Sequence, residues 1–488
     1  MVGTIILVVT LVACTVAPAL PGSVTQTLGT LQTPRVSITT QTLGISGTPR
    51  VSRTSVSATQ TPGVSDVTPA ATQRTGIATA ASTPAALAPT AGPTGTLGPT
   101  SRGRADNFTL LGRAALDGRG WNAGLALNYP CAYIGNRRLP EVAIVDVSDP
   151  AQPQPAGHIS LAPGLQPIEL RALPELGLLV VLNFSPGVSL MTFDVHDCKQ
   201  PRALASLPLG APPHEFYLWR DLAQPGRVLA FVAMWAHQKP DLQVVDLSNP
   251  ATPRLIGQWT AADAAAGTLH SISLSTDGRT AYLSMWEGGF LLADASDFAL
   301  ARPQPGLRVL NPHAALLPPP RVNVHSAVPL ADPNYVLLTQ EYYACPFAGL
   351  SLADVHDPTA PLLAAQFNLP ENEGPCADLP EADAVFTAHN PLVVGRLGFV
   401  SWYGAGLEAF DLTQPTQPVR VGLFVPDGAG PLGGSPYGAY PVQVWSYPIL
   451  RAGVIYVTDI RAGLFILRYT GPGAQALEAV ALAQGNAN

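Results

Sequence analysis

The chain holds nine histidines in 488 residues, and four of them recur at one place in a repeated pattern. His214, His270, His325 and His389 each stand where an apolar strand begins, ahead of a second strand and a run ending in Asp. The same position in the other repeats falls to Asn122, Glu169 and Ser446. Neutral imidazole is the commonest metal-binding side chain and suits zinc, copper, iron or nickel. Three such rings, with or without Glu169, would hold a metal and leave a position for water or substrate. Glu341, in the run LLTQEYYAC, is expected near the same channel, so Glu169 and Glu341 are the candidate acid/base residues. Two other readings compete: structural rings bonded to backbone or turn aspartates, and a polar ligand site without metal. The remaining histidines, His158, His196, His237, His313 and His356, fall in turns or return segments.

What must position these side chains is a repeat. A short apolar run ending in Asp or Arg is written seven times: VAIVDVSDP (142–150), SLMTFDVHD (189–197), LQVVDLSNP (242–250), FLLADASDF (290–298), LSLADVHDP (350–358), LEAFDLTQP (407–415) and LFILRYTGP (464–472). A unit recurring every ~45–65 residues marks a propeller or solenoid. One unit reads HSISLSTDG (270–278), TAYLSMWEGG (280–289), FLLADASDF (290–298) and a return near 307–311. Four antiparallel strands of this kind make a propeller blade. The expected fold is therefore all-β, a seven-bladed β-propeller over 106–472. Six or eight blades compete, because 299–324 and 359–386 have room for irregular strands. The last unit lacks a fourth strand, and FTLLGRAAL (108–116) is a spare one. Pairing the two would close the ring and hide both sheet edges.

The repeated aspartates Asp146, Asp194, Asp246, Asp294, Asp354 and Asp411 look at first like chemistry. Followed by Ser, Asp, Asn or Pro, they read better as residues that bond their own turn backbone. The ends of the second strands carry Trp235, Trp286, Glu341, Trp402 and Asp459. Packing between blades is the first reading of these tryptophans, and a mouth for flat ligands the second.

The runs VAIVDVSDP, LQVVDLSNPATPRLIG and LEAFDLTQPTQPVRVG resemble the LVIVD-repeat family of bacterial β-propellers, over about 107–470. The resemblance implies an extracytoplasmic propeller and no settled activity. HSISLSTDGRTAYLSMW also resembles, over one or two blades, the selenium-binding-protein propellers, which are copper-dependent thiol oxidases. The cysteine-bearing segments of that family are missing from this sequence.

Residues 1–14 form an apolar stretch too short to span a bilayer and suited to a signal peptide. It closes on Leu11-Val12-Ala13-Cys14, which resembles a lipobox, so Cys14 is the expected lipidation site. The stretch has no Lys or Arg before it, which a signal peptide normally carries. Plain secretion is the alternative. Residues 15–105, rich in Thr, Ser, Pro, Ala and Gly, are expected to be a disordered, extended linker, and 473–488 a disordered tail. Four cysteines follow Cys14, and an even number outside the cytoplasm suggests disulfides. Cys345 with Cys376 and Cys131 with Cys198 are the favoured pairs among three pairings, with free thiols the alternative. None has CxxC spacing, which speaks against a thiolate zinc site.

A net charge of −7 lacks the basic footprint of nucleic-acid binding. Walker, GxGxxG, GxSxG and HExxH motifs are absent from the sequence, which takes most of the support from the usual nucleotide-dependent, α/β-hydrolase and zincin mechanisms. The expected function is a monomeric, lipid-anchored, extracytoplasmic scaffold that binds a small ligand or a protein at its channel mouth. A copper, zinc or iron site at the histidine ring is the expected cofactor, if one is held. The alternative is a metal-dependent oxidoreductase or lyase using those histidines, and the third reading is a purely structural envelope protein.

Overall fold

The structure, a computed structural model, describes residues 102–235, 239–262, 267–311, 323–373, 376, 384–429 and 440–488. The candidate leader with Cys14 and the linker to residue 101 lie outside the described residues, as do His237 and His313.

Seven antiparallel sheets stand in sequence order around one axis. Blade 1 runs outward through Asn122–Asn128, Cys131–Asn136, Glu141–Asp146 and Gln154–Ser160. Blades 2 to 7 begin with the inner strands Pro167–Leu173, Pro213–Arg220, Leu269–Leu274, Val324–Pro329, Pro391–Val394 and Ile449–Arg451. The second strands, such as Leu178–Asn183 and Val228–Met234, are buried along their whole length. Neighbouring blades cover both faces, which is why these strands read as unbroken apolar runs rather than alternating ones. Phe231, Leu283, Leu291 and Phe298 fill the space between blades 3 and 4. Each such side chain contributes roughly 1.5–3 kcal/mol by leaving water. The outer strands, such as Arg254–Trp259, are only partly covered and carry the polar residues.

The repeated aspartates do the turn work expected of them. Asp146, Asp194, Asp246, Asp294, Asp354 and Asp411 each accept the backbone N–H two residues on. The two expected disulfides also form, Cys131–Cys198 joining blades 1 and 2 and Cys345–Cys376 tying the loop after blade 5.

Closure follows the sequence and then exceeds it. Phe108–Ala114 pairs with Gly463–Tyr469 and completes blade 7 from the N-terminal side. Just upstream, Arg104–Asp106 adds a fifth strand to blade 6, beside Val419–Val425. The same stretch of chain therefore clasps two blades.

The tail at 473–488 is a correction to the sequence expectation, because it is ordered. It forms a short helix, Ala474–Leu477, then a strand, Ala483–Gln484, on the channel side of Ile449 and Leu450. From there it crosses the channel. Gln484 Nε2 donates to the Ala172 carbonyl of blade 2 at 2.9 Å. The Asn486 carbonyl accepts from Leu218 N at 3.1 Å, and Arg220 N donates to Asn488 Oδ1 at 2.8 Å. Inner strands leave one edge of N–H and C=O groups unpaired toward the axis, and buried backbone groups need partners. Small Ala, Gly and Asn residues fit a narrow channel and supply them. The Ala, Gly and Asn content suggested disorder, but the tail is held by hydrogen bonds from its backbone and its amide side chains to the inner strands.

The plug makes a checkable prediction. Deleting 483–488 removes the acceptor of the Leu218 amide, so hydrogen exchange within 213–220 should speed up by about tenfold or more. Unchanged protection in the truncated chain would contradict the contact.

Candidate functional site

With the far end plugged, the channel becomes a blind cavity of about 240 Å³ that opens where the inner strands begin. His214, His270, His325, His389, Glu169 and Glu341, all named from sequence, line it.

The local backbone explains how the rings come to face the axis. In blades 2 to 5 the pairing of inner with second strand slips by one residue near its start, between Pro167 and Glu169, Pro213 and Glu215, Leu269 and Ser271, and Val324 and Ser326. Such bulges re-aim a side chain. The bulged residues are Ile168, His214, His270 and His325. Glu169 is thus not the equivalent of the histidines, as sequence counting had it. It matches Glu215, one residue further on. Blade 7 shows the same offset: Trp445 N donates to the Thr458 carbonyl as His389 N does to Ser401, so Trp445 takes the place assigned to Ser446. Asn122 is buried and its amide donates to the Asp459 and Ile460 carbonyls, a structural task.

The four imidazoles form one continuous arc. Successive ring centroids are 4.3, 4.2 and 4.0 Å apart from His214 to His389. His270 Nδ1 lies 3.2 Å from the His325 carbonyl and His389 Nδ1 lies 2.8 Å from that of Trp445. A carbonyl only accepts, so both rings carry the proton on Nδ1 and turn an Nε2 lone pair to the cavity. Metal-bound histidines are held in this way by the second nitrogen. His214 Nε2 sits 2.7 Å from His270 Nε2 and must donate to it. That leaves His214 Nδ1 buried without a hydrogen-bond partner among the described residues. His325 Nδ1 is 2.8 Å from Ser326 Oγ, and its Nε2 lies 3.6 Å from Glu215 and 3.9 Å from Glu341.

Electrostatics favour uncharged rings. Burial holds His214, His325 and His389 well below the usual histidine range and pulls His270 down to about 3. The contacts to Glu215 and Glu341 are therefore not ion pairs at neutral pH. Burial pushes Glu215 well above the carboxylate range, reinforced by Glu169, while a 2.8 Å bond from Tyr447 works the other way. Glu341 is raised by burial to about 7, although Tyr343 and Tyr403 both donate to its Oε1. Glu169 is also raised by burial, and Arg171, 2.8 Å away, opposes the shift.

Among the described residues two triads could hold a metal: His214, Glu215 and His270, and His270, His325 and Glu341. Within each, the ligand atoms lie within 4.8 Å of one another. His270 belongs to both. Glu215, Tyr343, Tyr403, Tyr447 and Trp445 were missed from sequence, since they act by neighbourhood rather than by repeat. Glu215 was the most findable, because it follows His214 directly.

A second layer stands at the mouth. Arg137, Phe184, Trp235, Trp286 and Glu341 each follow a second strand directly, and each donates its N–H to the carbonyl of the residue just before an inner strand. Trp286 stacks on His270 at 4.6 Å, and Trp235 packs on His214 at 4.4 Å. Trp402 and Asp459, also at the ends of second strands, lie outside this layer, Trp402 in the packing role that was its first reading. Trp402 is core and donates to the Phe386 carbonyl, and Asp459 accepts the N–H groups of Gln443, Arg461 and Ala462.

Comparison with known proteins agrees with the sevenfold strand. The LVIVD repeat matches residues 128–159 and 230–261, which span most of blade 1 and the second to outer strands of blade 3. The chain carries LVIVD repeats. No curated protein matches it. Among solved structures, this LVIVD-repeat propeller is similar to a Lactobacillus plantarum protein at 12% identity, covering 63% of this chain and 86% of that one, with a TM-score of 0.48. The site must therefore be read from its own side chains.

Proposed function

We propose that the LVIVD-repeat propeller is a metal-binding protein whose plugged channel holds one transition-metal ion of the copper, zinc or iron type and admits a small ligand from the mouth. The observation that carries this reading is the convergence of Nε2 lone pairs from His270, whose present partner is the His214 N–H, and from His389, together with His325 Nε2, on a cavity bordered by Glu215 and Glu341. A purely structural role does not explain it. Structural histidines spend both nitrogens on the fold, whereas His214 Nδ1 is buried and unspent. Nitrogens at about 2.0–2.1 Å from one ion are the distance the rings must reach, a small adjustment from their present spacing. Ligands on one side of the arc leave the other side open to an incoming molecule.

The enzyme reading, a metal-dependent oxidoreductase or lyase, gains support from Tyr343 and Tyr403, whose hydroxyls converge on Glu341 beside the rings. A carboxylate held between two phenols next to a metal is placed to accept a proton, and Glu341 is better placed for this than Glu169, which Arg171 occupies.

The test is metal content. The full chain purified from metal-replete cells should hold about one equivalent of a transition metal, and the His270→Ala, His325→Ala double variant almost none. A metal-free parent would end the reading.

The compartment proposed is extracytoplasmic. Two disulfides support it, since they persist in oxidising surroundings. Lipidation at Cys14 would anchor the propeller to a membrane. Cys14→Ser should then move the protein from the membrane fraction to the soluble one, and unchanged retention would refute the anchor.

A further inference from the structure

The cavity that receives the ligand has one cationic side chain among the described residues, Arg137, and its wall toward the mouth is mostly aromatic and apolar, with Glu287 there accepting the Thr268 N–H at 2.8 Å. Arg137 follows the second strand of blade 1 directly, the position that Trp235 and Trp286 fill in blades 3 and 4. Its backbone is fixed by a 2.8 Å bond from its N–H to the Trp121 carbonyl. Its guanidinium lies over the Trp445 ring, 4.9 Å from the centroid. Trp445 in turn stacks on Tyr403 at 5.3 Å and 8°. The cation is thus held on a rigid aromatic platform beside the histidine arc. His389 packs against the same Trp445 ring at 4.3 Å, so the cation and the end of the arc share one aromatic platform.

The rest of the mouth is built for a flat apolar body. Ile168, Met234, Leu269, Trp235 and Trp286 line it. Trp235 and Tyr343 are 38% and 43% exposed, so aromatic surface is left facing the opening. A cavity of about 240 Å³ is the share of liquid taken by roughly eight waters, which suits a compact ligand with one ring.

The geometry points to a small organic carboxylate, with an aromatic or similarly flat apolar body, as the ligand of this cavity, and to Arg137 as the residue that selects it. A guanidinium presents parallel N–H donors that match a carboxylate in a bidentate fork, which neither water nor a neutral hydroxyl reproduces. Tryptophan faces hold the body, and the fork fixes its orientation toward the rings. The inference deepens the ligand-binding part of the function proposed above and does not depend on whether a metal is held. It also differs from what the histidines alone imply, since a bare metal site carries no preference for an aromatic acid.

The experiment uses the full chain, chelator-treated and metal-loaded, and follows tryptophan fluorescence during titration with benzoate, benzyl alcohol and benzylammonium. In both forms benzoate should bind at least about tenfold tighter than benzyl alcohol, as a charge-assisted pair requires. Benzylammonium should bind worst. Arg137→Gln should bring benzoate down to the level of benzyl alcohol while benzyl alcohol itself is little changed, which shows that the variant is folded. Arg137→Lys, which keeps the charge without the fork, should fall between. Benzyl alcohol binding as tightly as benzoate, no saturable binding of any probe, or a preference that survives in Arg137→Gln would each overturn the assignment. Benzoate preference in chelator-treated protein that never takes up metal would uphold Arg137 and refute the metal centre, so the two claims fail separately.

Discussion

His270→Ala should weaken metal binding by more than about 100-fold, while His214→Ala should weaken it by about 10–100-fold at most. The reason is topological. His270 is the one ring shared by both triads, so its loss leaves neither with three ligands. Removing His214 leaves His270, His325 and Glu341 complete, and the change is closer to losing a supporting neighbour, an effect of roughly 10–100-fold at most. The fold should survive the first substitution. The His325 carbonyl that His270 bonds keeps a second donor, Ser271 Oγ at 2.6 Å. Trp286 loses its stacking partner, and the expected stability loss is only about 1–3 kcal/mol. Competition against a chelator of known affinity measures the ranking. Equal losses at His214 and His270 would mean that the ion sits elsewhere on the arc.

The largest stability effect is expected far from the channel. Arg420 and Glu408 face each other on adjacent strands of blade 6 as a buried bidentate pair, at 2.6 and 2.7 Å. Glu408 is fully buried and Arg420 is 2% exposed. Arg420→Met strands a carboxylate among Leu407, Phe410 and their neighbours, and should cost about 3–5 kcal/mol. The double variant with Glu408→Gln should recover most of it, because the harm lies in the unpaired charge rather than in the lost attraction. Urea denaturation midpoints read both. A single variant that loses under about 1 kcal/mol would show that water reaches the pair.

Most of the blade plan could be read from the chain because it is periodic. The aspartates, their turns and the spare strand at 108–116 are local or repeating signals, and each appears where the pattern placed it. The histidine level was legible for the same reason. The one-residue offset of Glu169 and Ser446 was not, since a bulge adds a residue without leaving a mark in composition. Arg137 was legible in principle: it follows CAYIGN as Trp235 follows VLAFVAM, but a cation does not look like a tryptophan. The plug was hidden for another reason. Residues 483–488 bind through backbone and amide side chains to strands that lie far away in sequence, and such pairing writes no repeat in the tail itself.

The central claim is a metal bound by the histidine arc, and X-ray absorption on the loaded full chain tests it most directly. The account predicts nitrogen and oxygen neighbours at about 2.0–2.1 Å with the outer-shell signature of two or more imidazoles, lost in His270→Ala. A shell of oxygen alone without imidazole, or a spectrum that His270→Ala leaves unchanged, would contradict it.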